Sequence, residues 1–130
     1  MKIYMITIMV ILALGCGEFI RLSRDSDERS IVNPKNRKYY LYFEQSFQDT
    51  VTVSYQGKII FRKYVSTLKK LAAAEEICKI DPLKNGQFIL IEIGKKKYTI
   101  KPLSGYRYYY LTKFNDRIAA TYSNVLRDYY

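Results

Sequence analysis

The chain has 130 residues, enough for one domain with a modest core, and its 48% hydrophobic and 26% charged content is that of an ordinary globular protein. It contains no histidine, which excludes Ser-His-Asp and Cys-His nucleophiles, His-ligated metals and the usual general base near neutral pH. Carboxylate, Lys and Tyr chemistry remain open, but the expectation is a protein that is not an enzyme, with no metal and no cofactor.

Lys2 gives a short positive start. Ile3 to Leu14 is then apolar except for Tyr4 and Thr7, and Gly15, Cys16 and Gly17 follow. The run is too short to span a bilayer, for which about 20 apolar residues are needed. A basic start, a short apolar stretch and small residues at the cut describe an export signal. The stretch Leu12-Ala13-Leu14-Gly15-Cys16 resembles a lipobox, the processing signal of bacterial lipoproteins. That resemblance implies removal of residues 1–15 and lipid on Cys16, with a plain secretory signal or an uncleaved anchor as alternatives. With Cys16 lipidated, Cys78 stands alone and is expected to be a small buried apolar residue.

Residues 16–38 are expected to form a flexible tether. The segment from Arg21 to Ser30 is mixed in charge and almost without bulky apolar groups, and Asn33-Pro34 and Asn36 continue in turn chemistry. Asp25, Asp27 and Glu28 do not extend into a calcium-loop pattern.

The domain proper is expected over residues 39–130, and its strand signals come in order. Tyr39 to Phe43 is aromatic-rich. Val51 to Tyr55 alternates apolar with polar, then Gln56-Gly57 leads into Lys58-Ile59-Ile60-Phe61, a hairpin in which Gly supplies a positive φ. Ser66 to Ile80 holds strong helix formers, and the spacing predicts a short helix near residues 67–77, with a loop leading into a strand at 77–80 as the alternative. Phe88 to Ile93 places Ile89, Ile91 and Ile93 on one face. Gly94-Lys95-Lys96 turns it back into Lys97 to Lys101, and Pro102 closes that strand. Arg107 to Phe114, a turn at Asn115-Asp116 and Arg117 to Tyr122 complete the series. About seven strands separated by turn signals imply an all-β antiparallel sandwich.

The formal net charge is +10, and it is unevenly placed. Residues 18–50 balance, whereas residues 51–130 carry an excess of nine positive charges, so the basic character belongs to the domain. Two groups are candidate ligand-binding residues. Lys95, Lys96 and Lys97 at a hairpin tip are point charges suited to phosphate or sulfate, or simply a solvated turn that deters edge pairing. Arg107 with Tyr108, Tyr109 and Tyr110 combines a cation with aromatics that stack on planar ligands. On a strand, however, Tyr108 and Tyr110 face one way and Tyr109 the other, so at least one side must be core. Paired carboxylates, a Gly-rich phosphate loop and a Gly-x-Ser-x-Gly elbow are absent from the sequence.

The hairpin Asp49 to Phe61 and the ending Ile118 to Asn124 resemble small uncharacterised lipoproteins of Bacteroidota-type bacteria. The resemblance implies a compact sandwich and an envelope location, and it supplies no site residues. The expected function is therefore a non-catalytic envelope lipoprotein, an interaction module on the periplasmic side or the cell surface. Its partners would be the membrane through the lipid anchor and an envelope protein or acidic glycan, with no nucleic acid. An immunity or inhibitor lipoprotein that blocks an exported toxin or hydrolase is the alternative.

Overall fold

A computed structural model describes residues 17–67, 77–81 and 87–127. Among these residues there is no helix. The order of elements is β1 (Glu18–Phe19), β2 (Arg21–Arg24), β3 (Tyr39–Gln45), β4 (Gln48–Tyr55), β5 (Lys58–Ser66), β6 (Ile77–Ile80), β7 (Ile89–Ile93), β8 (Lys96–Ile100), β9 (Tyr108–Phe114) and β10 (Arg117–Ser123). They form two five-stranded sheets, β1-β8-β7-β4-β5 and β2-β10-β9-β3-β6, packed as a sandwich.

The three tight hairpins follow from turn chemistry. Gln56 and Gly57 both adopt positive φ, the geometry whose twist matches the strands it joins. Gly94 (φ 59°) turns β7 into β8, and Asn115 (φ 52°) turns β9 into β10. Alternation then sorts the side chains. Val51 and Val53, Ile89, Ile91 and Ile93, and Tyr98 and Ile100 line the inner face of the first sheet. Tyr39, Leu41 and Phe43, Tyr109 and Leu111, and Ile118 and Ala120 line that of the second. Phe47, fully buried, sits in the two-residue step that carries the chain from β3 to β4, and it packs edge-on to Phe43 at 5.2 Å. Tyr109 is buried to its hydroxyl, which donates to the Leu103 carbonyl and accepts from the Leu103 amide, both at 2.9 Å. This closes the β8–β9 connection onto the core without leaving a polar group orphaned.

Three departures from the sequence expectation have physical causes. First, the sandwich is mixed, since β1 pairs with β8, β2 with β10 and β3 with β9 in parallel. Parallel partners lie far apart in sequence, so no turn signal announces them. Second, there are ten strands and not about seven. Ile77–Ile80 is a strand with Cys78 and Ile80 inward; the expected helix otherwise falls on residues 68–76, outside the described residues.

The third departure concerns the expected tether. Residues 18–24 form strands at the edges of both sheets, and the switch between them occurs at Ile20. The Ile20 amide donates to the Thr99 carbonyl at 2.8 Å in the first sheet, while its side chain is 7% exposed in the core. Residues 25–38 are fixed as well. The Asn124 amide donates to the buried Ser30 hydroxyl at 2.8 Å, the Arg24 guanidinium donates to the Ser30 carbonyl, and buried Asn36 bonds Lys38. A buried isoleucine, buried Ser30 and Asn36, and backbone bonds on existing strand edges together order this polar segment. Replacing Ile20 by Ala is expected to lower stability by about 2–4 kcal/mol in urea unfolding, whereas Arg21→Ala on the exposed strand should cost no more than about 0.5 kcal/mol. Equal, small effects for both would contradict the burial of Ile20 between the sheets.

Candidate functional site

Both hairpin tips, β7–β8 and β9–β10, lie at the end of the sandwich where the described chain begins. Between them is an open cleft of about 450 Å³ lined by Asp49, Lys95, Lys96, Tyr98, Lys113 and Asp116, with Ile93, Gly94 and Asn115. Alternation on β8 explains how it is built. Tyr98 points inward, so Lys96, two residues earlier, leans the same way at the rim and reaches across to the other sheet. Its Nζ lies 2.9 Å from Asp116 Oδ2, and the Tyr98 hydroxyl donates to the Asp116 carbonyl at 2.7 Å. The ion pair holds the Asp116 carboxyl below its ordinary value and raises Lys96 above its own. Both side chains are more than half exposed, so salt weakens the pair. On the other wall, the Asp49 carboxylate accepts from the Thr50 amide at 2.7 Å. The Asp49 carboxylate lies close over Gly94, whose positive φ favours glycine in this turn.

Of the residues singled out in the sequence, Lys95, Lys96 and Lys97 are exposed at this tip, as the hairpin reading expects. Lys97 points to the outer face of the first sheet, opposite Glu92 in register. Arg107, Tyr108, Tyr109 and Tyr110 lie on the second sheet and do not join the lysines. Cys16 falls outside the described residues, but Gly17, bonded to it, lies against the lysine tip. A Cβ on Gly17 would come within 2.5 Å of the Lys97 carbonyl oxygen.

The tyrosines divide as their alternation requires. Tyr109 is core. Tyr108 and Tyr110 face outward beside Tyr40 and Tyr42, and the four rings pack in a continuous cluster with centroids 5.2–6.5 Å apart. This cluster is largely covered, with Tyr110 only 1% and Tyr42 8% exposed. The chain after β10 folds over it. The Tyr110 hydroxyl donates to the Val125 carbonyl and accepts from the Arg127 amide, both at 3.0 Å, and the Arg127 guanidinium lies 4.1 Å above the Tyr110 ring. Arg127 also bonds Glu44 and Asp25. Burial pushes the Tyr110 and Tyr109 hydroxyls far above their usual range. The aromatic face is thus occupied by the protein's own arginine. Arg107 is engaged too, its amide donating to Asn124 Oδ1 at 2.8 Å and its Nε facing Asn36 Oδ1 at 3.4 Å.

Asp49, Lys113 and Asp116 were not visible as site residues in the sequence. They carry no motif, and only the sheet order brings the two tips to one end of the molecule. Cys78 is 1% exposed, and burial pushes its thiol up to about 12. Among the described residues no group of three or more His, Cys, Asp or Glu side chains is placed to hold a metal ion. Comparison with protein-family models, with curated proteins and with solved structures finds no match for the chain.

Cys78, Tyr98, Tyr109 and Tyr110 all hold their protons more tightly folded than unfolded. Their contribution to stability is complete below the unfolded values and is lost as pH rises through the folded ones. For Cys78 that window runs from the ordinary thiol value of 9.0 to about 12. Unfolding midpoints measured across the alkaline range are expected to fall steadily above about pH 9, with Cys78 inert to thiol reagents until the protein unfolds. A midpoint constant through this window, or rapid labelling of the folded protein, would contradict the burial described.

Proposed function

We propose that this chain is a non-catalytic binding module of a bacterial cell envelope, held to a membrane by lipid on Cys16, and that it takes anionic groups in the cleft between its two hairpin tips. The observation that carries this reading is the cleft itself. Lys95 and Lys113 stand at its mouth, and neither forms an ion pair with the described residues. Lys96 neutralises Asp116 within it. Lysines on exposed turns suit phosphate or sulfate oxygens, which they meet as mobile point charges without a rigid fork.

The non-catalytic part of the reading is supported by how the reactive side chains are used. The Cys78 thiol is buried and stays protonated, and the Tyr109 and Tyr110 hydroxyls are spent on backbone groups. Burial of this kind stabilises a core and removes the ionised forms that nucleophilic or acid–base chemistry requires.

Two experiments test the reading in its two parts. Metabolic lipid labelling with membrane fractionation should show label and membrane association for the natural chain and neither for Cys16→Ser; identical behaviour would overturn the anchor. For the cleft, the full chain should bind dextran sulfate, a polyanionic probe, with an affinity that falls as salt rises. The double substitution Lys95→Gln with Lys113→Gln should weaken binding about fivefold, from about 0.5 kcal/mol per exposed charge. Unchanged affinity in the double variant would place the binding surface elsewhere.

A further inference from the structure

We propose that the end of the sandwich carrying the lysine-lined cleft docks directly on the bilayer, and that the anionic groups it takes are lipid headgroups of the same membrane that anchors Cys16. The inference rests on the anchoring reading and concerns what that anchor does to the domain. It follows from where the described chain begins. Gly17 is packed on the Lys97 backbone, Phe19 is in register with Thr99, and Ile20 is buried between the sheets. A lipid on Cys16 therefore lies one Cα–Cα step, about 3.8 Å, from a residue seated against the lysine tip. Even with β1 peeled away, only residues 17–19 separate Cys16 from the buried Ile20, a reach of about 14 Å at full extension. The spacer that a free-standing domain needs is absent, because the segment expected to supply it is built into both sheets.

This geometry decides which surface faces the headgroups. Lys95, Lys96 and Lys97 flank Gly17, and Lys113 and Arg117 project from the neighbouring tip, against Glu18, Asp49, Glu92 and Asp116. Lys95, Lys113 and Arg117 form no ion pair with the described residues, so their charge is available to a surface, while Lys97 stands opposite Glu92. The anchor holds the chain at the bilayer, and basic residues beside it add attraction to anionic lipid. The anchor makes contact of the lysine tip with the headgroups intramolecular.

The test uses the full lipidated chain in vesicles of phosphatidylcholine with and without phosphatidylglycerol. Because Cys78 is buried, a fluorescent thiol label can be placed at Gln48→Cys, beside the cleft, or at Ser104→Cys, at the opposite end, the two standing about 20 Å apart along the strands. A headgroup-borne quencher reads their distance from the membrane. The expected result is several-fold stronger quenching at position 48 than at 104, increased by phosphatidylglycerol and reduced by Lys95→Gln with Lys97→Gln. Equal quenching at both positions in protein that is lipidated and vesicle-bound would overturn the docking while leaving the anchor intact. Protein that carries no lipid and shows no quenching at either position would overturn the anchoring reading, and the docking with it.

Discussion

The structure depends on one short segment serving both sheets. Glu18–Phe19 adds a strand to the first sheet, Arg21–Arg24 adds one to the second, and Ile20 between them fills the core at that edge. A sandwich made of two separate sheets has four edges, each a row of unpaired backbone groups. Here the outer sides of β8 and β10 are covered by a single run of chain, whose short strands β1 and β2 become the new edges. The backbone bonds satisfy polar groups that burial would otherwise leave costly, and the buried isoleucine ties the two ladders to one another. The same run fixes where the polypeptide enters the domain, so the position of Gly17 against the lysine tip is a consequence of core packing.

Tyrosine does in this protein what tryptophan and phenylalanine do in many cores. The inner Tyr39, Tyr98 and Tyr109 bring large apolar rings, and the hydroxyls of Tyr98 and Tyr109 end on backbone carbonyls at the rim. The outer row of Tyr40, Tyr42, Tyr108 and Tyr110 is a second, thinner layer, closed by the chain after β10 and by the guanidinium of Arg127. An aromatic–cationic surface that would suit a planar ligand is thereby consumed internally. The lysine tips, by contrast, stay open to solvent and suit anions and not stacking.

Much of the sandwich was legible in the sequence where information is local. Val51 to Tyr55 with Gln56-Gly57, the Ile89, Ile91, Ile93 stripe, and Asn115-Asp116 each declare a strand or turn through alternation or positive φ, and each appears within a few residues of its expected place. The split of Tyr108 and Tyr110 from Tyr109 also followed from period two. What was hidden is non-local. Residues 18–24 look like solvated linker because only Ile20, and in part Leu22, turns inward, and their parallel partners lie far along the chain, at residues 98–99 for β1 and 119–122 for β2. The cleft was half visible: Lys95 to Lys97 announce a basic tip, but Asp49, Lys113 and Asp116 join them only through sheet order and the alignment of two hairpins.

The ordered entry strand is also the most exposed point of the account, since a tether and a strand differ sharply in one observable. Amide hydrogen exchange resolved by residue, on the folded full chain, reads it directly. The Ile20 amide, bonded to Thr99, and those of β2 that pair with β10 are expected to exchange far more slowly than an unstructured peptide, with protection comparable to other edge strands. Exchange at the free-peptide rate throughout residues 18–24, alongside protected β8 and β10, would mean that the segment is a tether after all, and the seating of the anchor beside the lysine tip would go with it.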